Sequence, residues 1–311
     1  MKNIITLTMN PAIDVNTSVD NFVAERKLRC SNPSREPGGG GINVSRATRK
    51  LGGESIALYT CGGLTGQMFQ ELLDNEGLNH KPIPIKDGTR ENIIVYEESS
   101  TLQYRLCMPG PMLKDNELEL SLDQILALNP KPDFIVASGS LPPGAPKNFY
   151  AQVARVAKLQ GSKIIIDTQG EPFKLALEEG LFLVKPNIRE LSQLAEHLIE
   201  DEKQIEEMAE EIVHEKWSEV VVVSLGAAGA LMVTREETRY IRPPAVPIKS
   251  KVGAGDSMVA GIVLALARGK TIQDAVFFGV AAGTAAVMTP GTELCRREDT
   301  ERLFKEMKSN H

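Results

Sequence analysis

Apolar, often β-branched runs recur along the chain at residues 4–9, 55–61, 133–138, 163–167, 182–185 and 220–224. Several are continuous rather than alternating, the pattern of strands covered on both faces in a parallel sheet. Stretches with helical spacing lie between them, at residues 42–51, 67–76, 147–159, 188–197 and 204–215. This alternation predicts βαβ units and therefore an α/β fold with a doubly wound, mainly parallel sheet flanked by helices.

Two stretches depart from the alternation. Residues 14–30 and 92–107 mix polar and apolar positions in extended fashion, and neither is followed at once by a crossover helix. They read as strands that leave the main sheet to form a small β lid or a dimer surface, with lid segments at about 14–35 and 88–108; ordinary surface hairpins are the alternative. Beyond residue 220 the pattern predicts short strands at 230–233 and 238–241 and a turn rich in proline (Pro243, Pro244, Pro247). Two alanine-rich helices, 254–267 and 272–288, and a charged terminal helix near 297–308 follow. No repeat, low-complexity tail or linker interrupts the chain, which reads as a single domain over 1–311.

Composition narrows the function classes. With 42% hydrophobic and 24% charged residues in 311, a large packed core is expected. The net charge of -6, with both signs mixed along the chain, argues against nucleic acid as a partner, which needs a basic face. Small anionic ligands remain open. The four cysteines form no C-x-x-C pair and read as buried or incidental thiols, and the four histidines show no ligand spacing. The first residues run into a strand without a signal-peptide pattern, and no uncharged apolar run reaches the roughly 18 residues of a membrane span. A cytoplasmic protein without membrane contact is the expectation.

Candidate chemistry concentrates in glycine-rich loops. Val252-Gly253-Ala254-Gly255-Asp256-Ser257 places two glycines just before a helix. Such a loop turns successive amides into one concavity, to which the helix start adds positive dipole, and it suits a transferring phosphoryl group. Asp256 there can accept a proton from an attacking hydroxyl, or it can simply cap the helix. Pro37-Gly38-Gly39-Gly40-Gly41-Ile42-Asn43 enters another helix; its backbone can approach a ligand closely and Asn43 offers donor and acceptor to sugar hydroxyls, a flexible loop being the alternative. In Lys185-Pro186-Asn187-Ile188-Arg189-Glu190, Asn187 and Glu190 can face one point, which suits magnesium held largely through water. Lys185 can steady nucleotide phosphates; a capped helix with a solvated glutamate is the bland reading. Standard nucleotide motifs are missing: Leu264 stands where a Walker A loop ending at Gly269-Lys270-Thr271 needs glycine, and no G-x-G-x-x-G follows a strand.

Together with Thr8-Met9-Asn10-Pro11-Ala12-Ile13-Asp14, Ser138-Gly139-Ser140-Leu141-Pro142 and Val223-Ser224-Leu225-Gly226-Ala227-Ala228-Gly229, these motifs resemble the PfkB family of sugar kinases within the ribokinase-like superfamily. The likeness covers nearly the whole chain, and the number, order and spacing of the pieces make it specific. It implies ATP and Mg2+ as cofactors, Asp256 as catalytic base, and the amides of Gly253, Ala254 and Gly255 as anion hole. Ser224, Leu225, Gly226, Ala227, Ala228 and Gly229, with Val280 and Thr284, would wall the ATP site alongside Lys185 and Asn187. Asp14, Gly38, Gly39, Asn43 and position 139 (Gly139) would hold the sugar. Arg90 and Arg105 are candidates for its phosphate, as are Lys27 and Arg29, and in related dimers a basic lid residue reaches the neighbouring subunit's site. A homodimer through the lid is therefore expected.

Within the family, Lys27-Leu28-Arg29-Cys30, the GGGGINV loop and Gly291-Thr292-Glu293-Leu294-Cys295 look like the minor 6-phosphofructokinases of bacteria. Relatives acting on fructose 1-phosphate or tagatose 6-phosphate typically carry lysine at the position of Gly40. Fructose 6-phosphate, phosphorylated on its C1 hydroxyl, is the expected acceptor, with those two sugars as alternatives and a catalytically inactive sugar-phosphate-binding regulator as the non-enzyme one. One departure concerns a monovalent cation: Ser250 stands where many superfamily members have aspartate, leaving the backbone carbonyls near Ser250, Val252, Thr289 and Gly291 as the site open to K+. Asp256 needs no raised pKa for this role, and the helix start is expected to keep it ionised.

Overall fold

The computed structural model describes residues 2–309. The chain opens with β1 (Ile4–Thr8), β2 (Ala12–Val19), β3 (Ser34–Gly38), α1 (Gly40–Lys50), β4 (Ile56–Cys61), α2 (Gly63–Asn75) and β5 (Asn79–Pro84). Its middle holds β6 (Arg90–Glu97), β7 (Gln103–Leu106), α3 (Asp115–Leu126), β8 (Phe134–Ser138), α4 (Phe149–Gln160), β9 (Lys163–Asp167), α5 (Glu171–Leu177), β10 (Leu181–Val184) and α6 (Ile188–Ala195). The last third contains α7 (Glu202–His214), β11 (Ser218–Ser224), β12 (Ala230–Val233), β13 (Thr238–Ile241), α8 (Ala254–Ala267), α9 (Ile272–Val287) and α10 (Arg297–Ser309).

Nine strands form the main sheet in the order β13-β12-β11-β10-β9-β8-β1-β4-β5. Pairing is parallel from β11 through to β5, and β12 and β13 close one edge antiparallel. All residues of β1, β8 and β10 are buried, which is why these strands read as unbroken apolar runs. Successive side chains enter opposite cores. Ile165 joins α1, α8 and α9 on one face, while Ile164 and Ile166 pack with α4 and α7 on the other.

A second sheet, β3-β2-β6-β7, stands apart from the first. It lies where the sequence analysis expects its lid segments, and its register sets Asp14 beside both Asn92 and Glu36. The main sheet reverses direction between β1 and β8: the chain first builds outward to β4 and β5, then returns to β8 on the other side of β1. At such a switch point the loops leaving the strand ends diverge and open a crevice. Thr8 and Ser138 end these two strands, so the early Asn-Pro-Ala motif and the Ser138-Gly139-Ser140 turn flank that crevice.

Four elements have no counterpart in the sequence reading: β3, β5, α3 and α5. All four cysteines are free thiols, Cys61 and Cys295 buried and Cys30 and Cys107 exposed. Among the described residues no helix is long and apolar enough to cross a membrane.

Candidate active site

A cleft of about 440 Å³ opens at the switch point, between the lid and the C-terminal ends of the sheet strands. Asp14, Gly39, Asn43, Arg90, Arg105, Gly139, Glu190, Val252, Gly253 and Asp256 line it together, drawn from six separate parts of the sequence.

Asp256 sits in the first turn of α8, whose N-cap is Gly253. Its carboxylate therefore does not cap its own helix; instead Asn43 Nδ2 donates to Asp256 Oδ2 at 2.9 Å from the start of α1. Gly253 adopts φ 74°, a left-handed conformation, and a Cβ there would meet Leu294 Cδ2 at 2.3 Å. A Cβ on Gly255 would come within 3.3 Å of Lys185 Nζ, so the ammonium lies directly behind the glycine loop.

Burial pushes the Asp256 carboxyl up to about 7, and the Asp167 carboxylate adds to the rise; the Asn43 bond, Lys185 and Arg105 oppose it. The expectation that the helix start keeps it ionised is thus corrected, because desolvation pulls the other way. The Lys185 ammonium is 5% exposed and lies 3.4 Å from Asp167 Oδ1. Burial lowers its pKa, but Asp167, Glu190 and Asp256 together hold it above the usual lysine range.

The glycine run is a close-approach device rather than a flexible loop. Gly39, at φ 118°, caps α1, and Asn43 N–H bonds its carbonyl at 2.8 Å. A Cβ at Gly40 would stand 2.2 Å from Ser138 Oγ and 2.8 Å from the Gly139 nitrogen, and one at Gly41 would stand 2.6 Å from the Leu7 carbonyl oxygen. Any side chain at position 40, lysine included, therefore requires the 138–139 turn to move. Gly38 lies against Asp14, where a Cβ would reach Oδ2 at 2.4 Å. Asp14 is itself buried, receives a 2.8 Å bond from Asn92 Nδ2, and is raised in pKa by its desolvation.

The remaining candidates divide. Arg90 lines the cleft, yet its two terminal nitrogens already donate to the carbonyls of Met108 and Asn10, tying the lid to the β1–β2 loop. Arg105 lies on the lid side and is exposed. Lys27 and Arg29 are exposed on the lid and are not among the residues that line the cleft. Asn187 and Glu190 form a reciprocal capping box at 2.9 Å in both directions. The bland reading thus describes Asn187, whose carbonyl is committed to the cap; Glu190 still borders the cleft, where burial raises its pKa.

Ser224 bonds to Pro186 and bridges to Asn187, which brings the partly exposed turn at residues 224–229 alongside the 185–190 element. Val280 is 1% exposed and belongs to the core, so it offers no surface to a ligand, whereas Thr284 is partly accessible and donates to the Val280 carbonyl. Ser250 Oγ donates to the Gly291 carbonyl at 2.9 Å and accepts from Val252 N–H, placing three of the four cation candidates together. The Thr289 side chain turns away, to the Ala286 and Leu294 carbonyls.

Six cleft residues were missed in the sequence: Asn92, Cys107, Asp167, Thr168, Gln169 and Lys251. Asp167 carried a usable signal, since it is the polar residue that ends an otherwise apolar strand on the ligand-facing edge of the sheet.

Comparison with known proteins agrees with this geometry. The pattern described as pfkB family carbohydrate kinase matches residues 4–299. The chain is 43% identical over 303 residues to the ATP-dependent 6-phosphofructokinase isozyme 2 of Mycobacterium tuberculosis, covering 97% of this chain and 89% of that one. It is 42% identical over 305 residues to the enzyme of the same name from Escherichia coli, covering 98% of each. Crystal structures of phosphofructokinase-2 from Escherichia coli superpose with a TM-score of 0.95 in complex with potassium and 0.93 in complex with fructose-6-phosphate. Both cover 99% of this chain and 100% of the other, at 41% and 40% identity respectively. With that pattern matching residues 4–299 and these relatives aligned over almost the full length, this chain belongs to the pfkB family of carbohydrate kinases.

Proposed function

We propose that this protein transfers the γ-phosphoryl group of ATP to the C1 hydroxyl of fructose 6-phosphate, giving fructose 1,6-bisphosphate and ADP. The observation that carries the reading is Asp256: a desolvated carboxylate in the first turn of a helix, beside the glycine amides, facing a cleft that Asn43 and Asp14 share. The relatives named 6-phosphofructokinase support the choice of sugar.

In the proposed reaction the C1 oxygen attacks phosphorus as the bond to the β-phosphate oxygen breaks, and the hydroxyl proton passes to Asp256 Oδ1. Such transfers proceed through a loose transition state, so placement and charge stabilisation contribute more than base strength. The amides of Gly253, Ala254 and Gly255 stabilise the charge on the migrating group, with Lys185 behind them. Asp14 and Asn43 hold sugar hydroxyls, and Arg105 with Arg90 receives the 6-phosphate. The turn at 224–229 and Thr284 border the nucleotide. Closure of the lid sheet over the cleft excludes water that would otherwise hydrolyse ATP.

No group of three His, Cys, Asp or Glu side chains able to hold a metal occurs among the described residues. Magnesium arriving with the nucleotide would be held by Glu190, with Asn187 beside it, and would supply neutralisation of the phosphate charge. Potassium at the 250–252 and 291 segments is compatible with the donor set, and would take over the Gly291 carbonyl from the Ser250 hydroxyl.

The test is a comparison of acceptors with MgATP. The highest kcat/KM is expected for fructose 6-phosphate, above fructose 1-phosphate and tagatose 6-phosphate. A higher value for either rival overturns the sugar assignment, and no turnover with any of them overturns the kinase reading.

A further inference from the structure

We propose that Asn43, which the proposed function already gives to a sugar hydroxyl, is also the positioning residue of the base: its amide nitrogen fixes Asp256 Oδ2, leaving Oδ1 to receive the proton, while its own carbonyl oxygen faces that hydroxyl. The second half rests on the sugar-kinase reading; the first does not.

Asn43 is 9% exposed and held by α1, and Nδ2 stands 2.9 Å from Asp256 Oδ2. An ionised carboxylate can only accept, so the amide must present nitrogen to it and turn its oxygen the other way. That oxygen, Oδ1, is buried and finds no partner among the described residues. An unmet buried acceptor beside a cleft calls for a donor, and a sugar hydroxyl supplies one. One rigid, planar group would then span the base and the molecule whose proton it takes, which fixes their separation.

The other groups around Asp256 act through charge alone. Asp167 at the end of β9, Lys185 after β10 and Arg105 on β7 all bear on its ionisation, but the Asn43 bond is the one hydrogen bond to its side chain among the described residues. Removing Asn43 therefore leaves the carboxylate free to rotate and less stabilised in its ionised form, with Asp167, Lys185 and Arg105 in place.

The experiment is ¹³C NMR of protein labelled at the aspartate carboxyl carbons, with the Asp256 signal assigned by its loss in Asp256→Asn. Asn43→Ala is expected to raise the midpoint of the Asp256 titration by on the order of one pH unit, the scale of a lost bond to a charged group. Asn43→Ser, whose hydroxyl can still donate, is expected to raise it less, and it serves if the alanine variant does not fold. An unmoved midpoint in folded variants overturns the positioning role, whatever the enzyme phosphorylates. In parallel, kcat with fructose 6-phosphate is expected to fall about 10- to 100-fold at neutral pH, with the acidic limb of the pH profile moving up in step. A raised KM with kcat and limb unchanged would reduce Asn43 to a sugar contact and overturn the proposal.

Discussion

Burial of Asp256 carries a cost in stability that is separate from its chemistry. Its carboxyl titrates near 7 in the folded chain against an ordinary value of 3.8. Folding therefore favours the neutral form, and the stability that this group contributes in acid is lost as pH rises through about 7. Asparagine keeps the shape without the charge. Asp256→Asn should raise Tm by a few degrees at pH 8 and much less at pH 5, measured by calorimetry; an equal shift at both values would mean that the charge is not strained. Sequence alone placed Asp256 and the glycines but left open whether the residue was a base or a cap. The answer required Gly253 to be seen as the cap and Asn43, 213 positions away, to be seen as the partner. The pKa was misjudged for the same reason: a helix start is visible in sequence, but the depth of a cleft is not.

At the level of elements, α1 shows how one helix positions several parts of the site. Its first turn carries Gly41 and Asn43, and one turn on, Arg46 is 4% exposed and bonds Glu76 after α2 at 2.7 Å while donating to the Pro37 and Thr292 carbonyls. The glycine run, the end of α2 and the 289–295 segment are thereby held to one another. Gly41 has no room to change, because the Leu7 carbonyl on β1 lies where a side chain would begin. Gly41→Ala should lower stability by about 1–3 kcal/mol, read from the urea midpoint, with loss of kinase activity; an unchanged midpoint would show that α1 can shift freely from β1. The parallel strands and long helices were legible because burial on both faces writes continuous apolar runs. α3 was not, since its Glu-Leu-Glu-Leu-Ser-Leu stretch alternates like a strand although Glu117, Leu118, Ser121 and Ile125 are the residues buried. β5 was hidden by Pro82 and Pro84, which an edge strand tolerates. β3 presents only five residues, Ser-Arg-Glu-Pro-Gly, with no apolar pattern, and is a strand because β2 pairs with it.

For the molecule as a whole, the small sheet presents an apolar row to solvent. Val15, Ile93 and Leu106 align in register across β2, β6 and β7, on the face opposite Asp14 and Asn92, and Ile93 and Leu106 are exposed. An apolar row of this kind on a small sheet is suited to a second copy of the chain, in keeping with the lid dimer that the sequence suggests. Ile93→Lys combined with Leu106→Lys should convert a dimer to monomer in sedimentation velocity; a wild-type monomer, or a dimer that survives both charges, would contradict this. Lys27 and Arg29, which do not line their own cleft, would in such a dimer have a partner's site to serve. The chemistry, however, depends first on the carboxylate at the floor of the cleft. The most direct test is kcat of Asp256→Asn with fructose 6-phosphate and MgATP, alongside a check that ATP still binds. A fall of roughly 10²–10⁴ with ATP binding kept is the predicted result, and a near-normal kcat would show that the proton goes elsewhere.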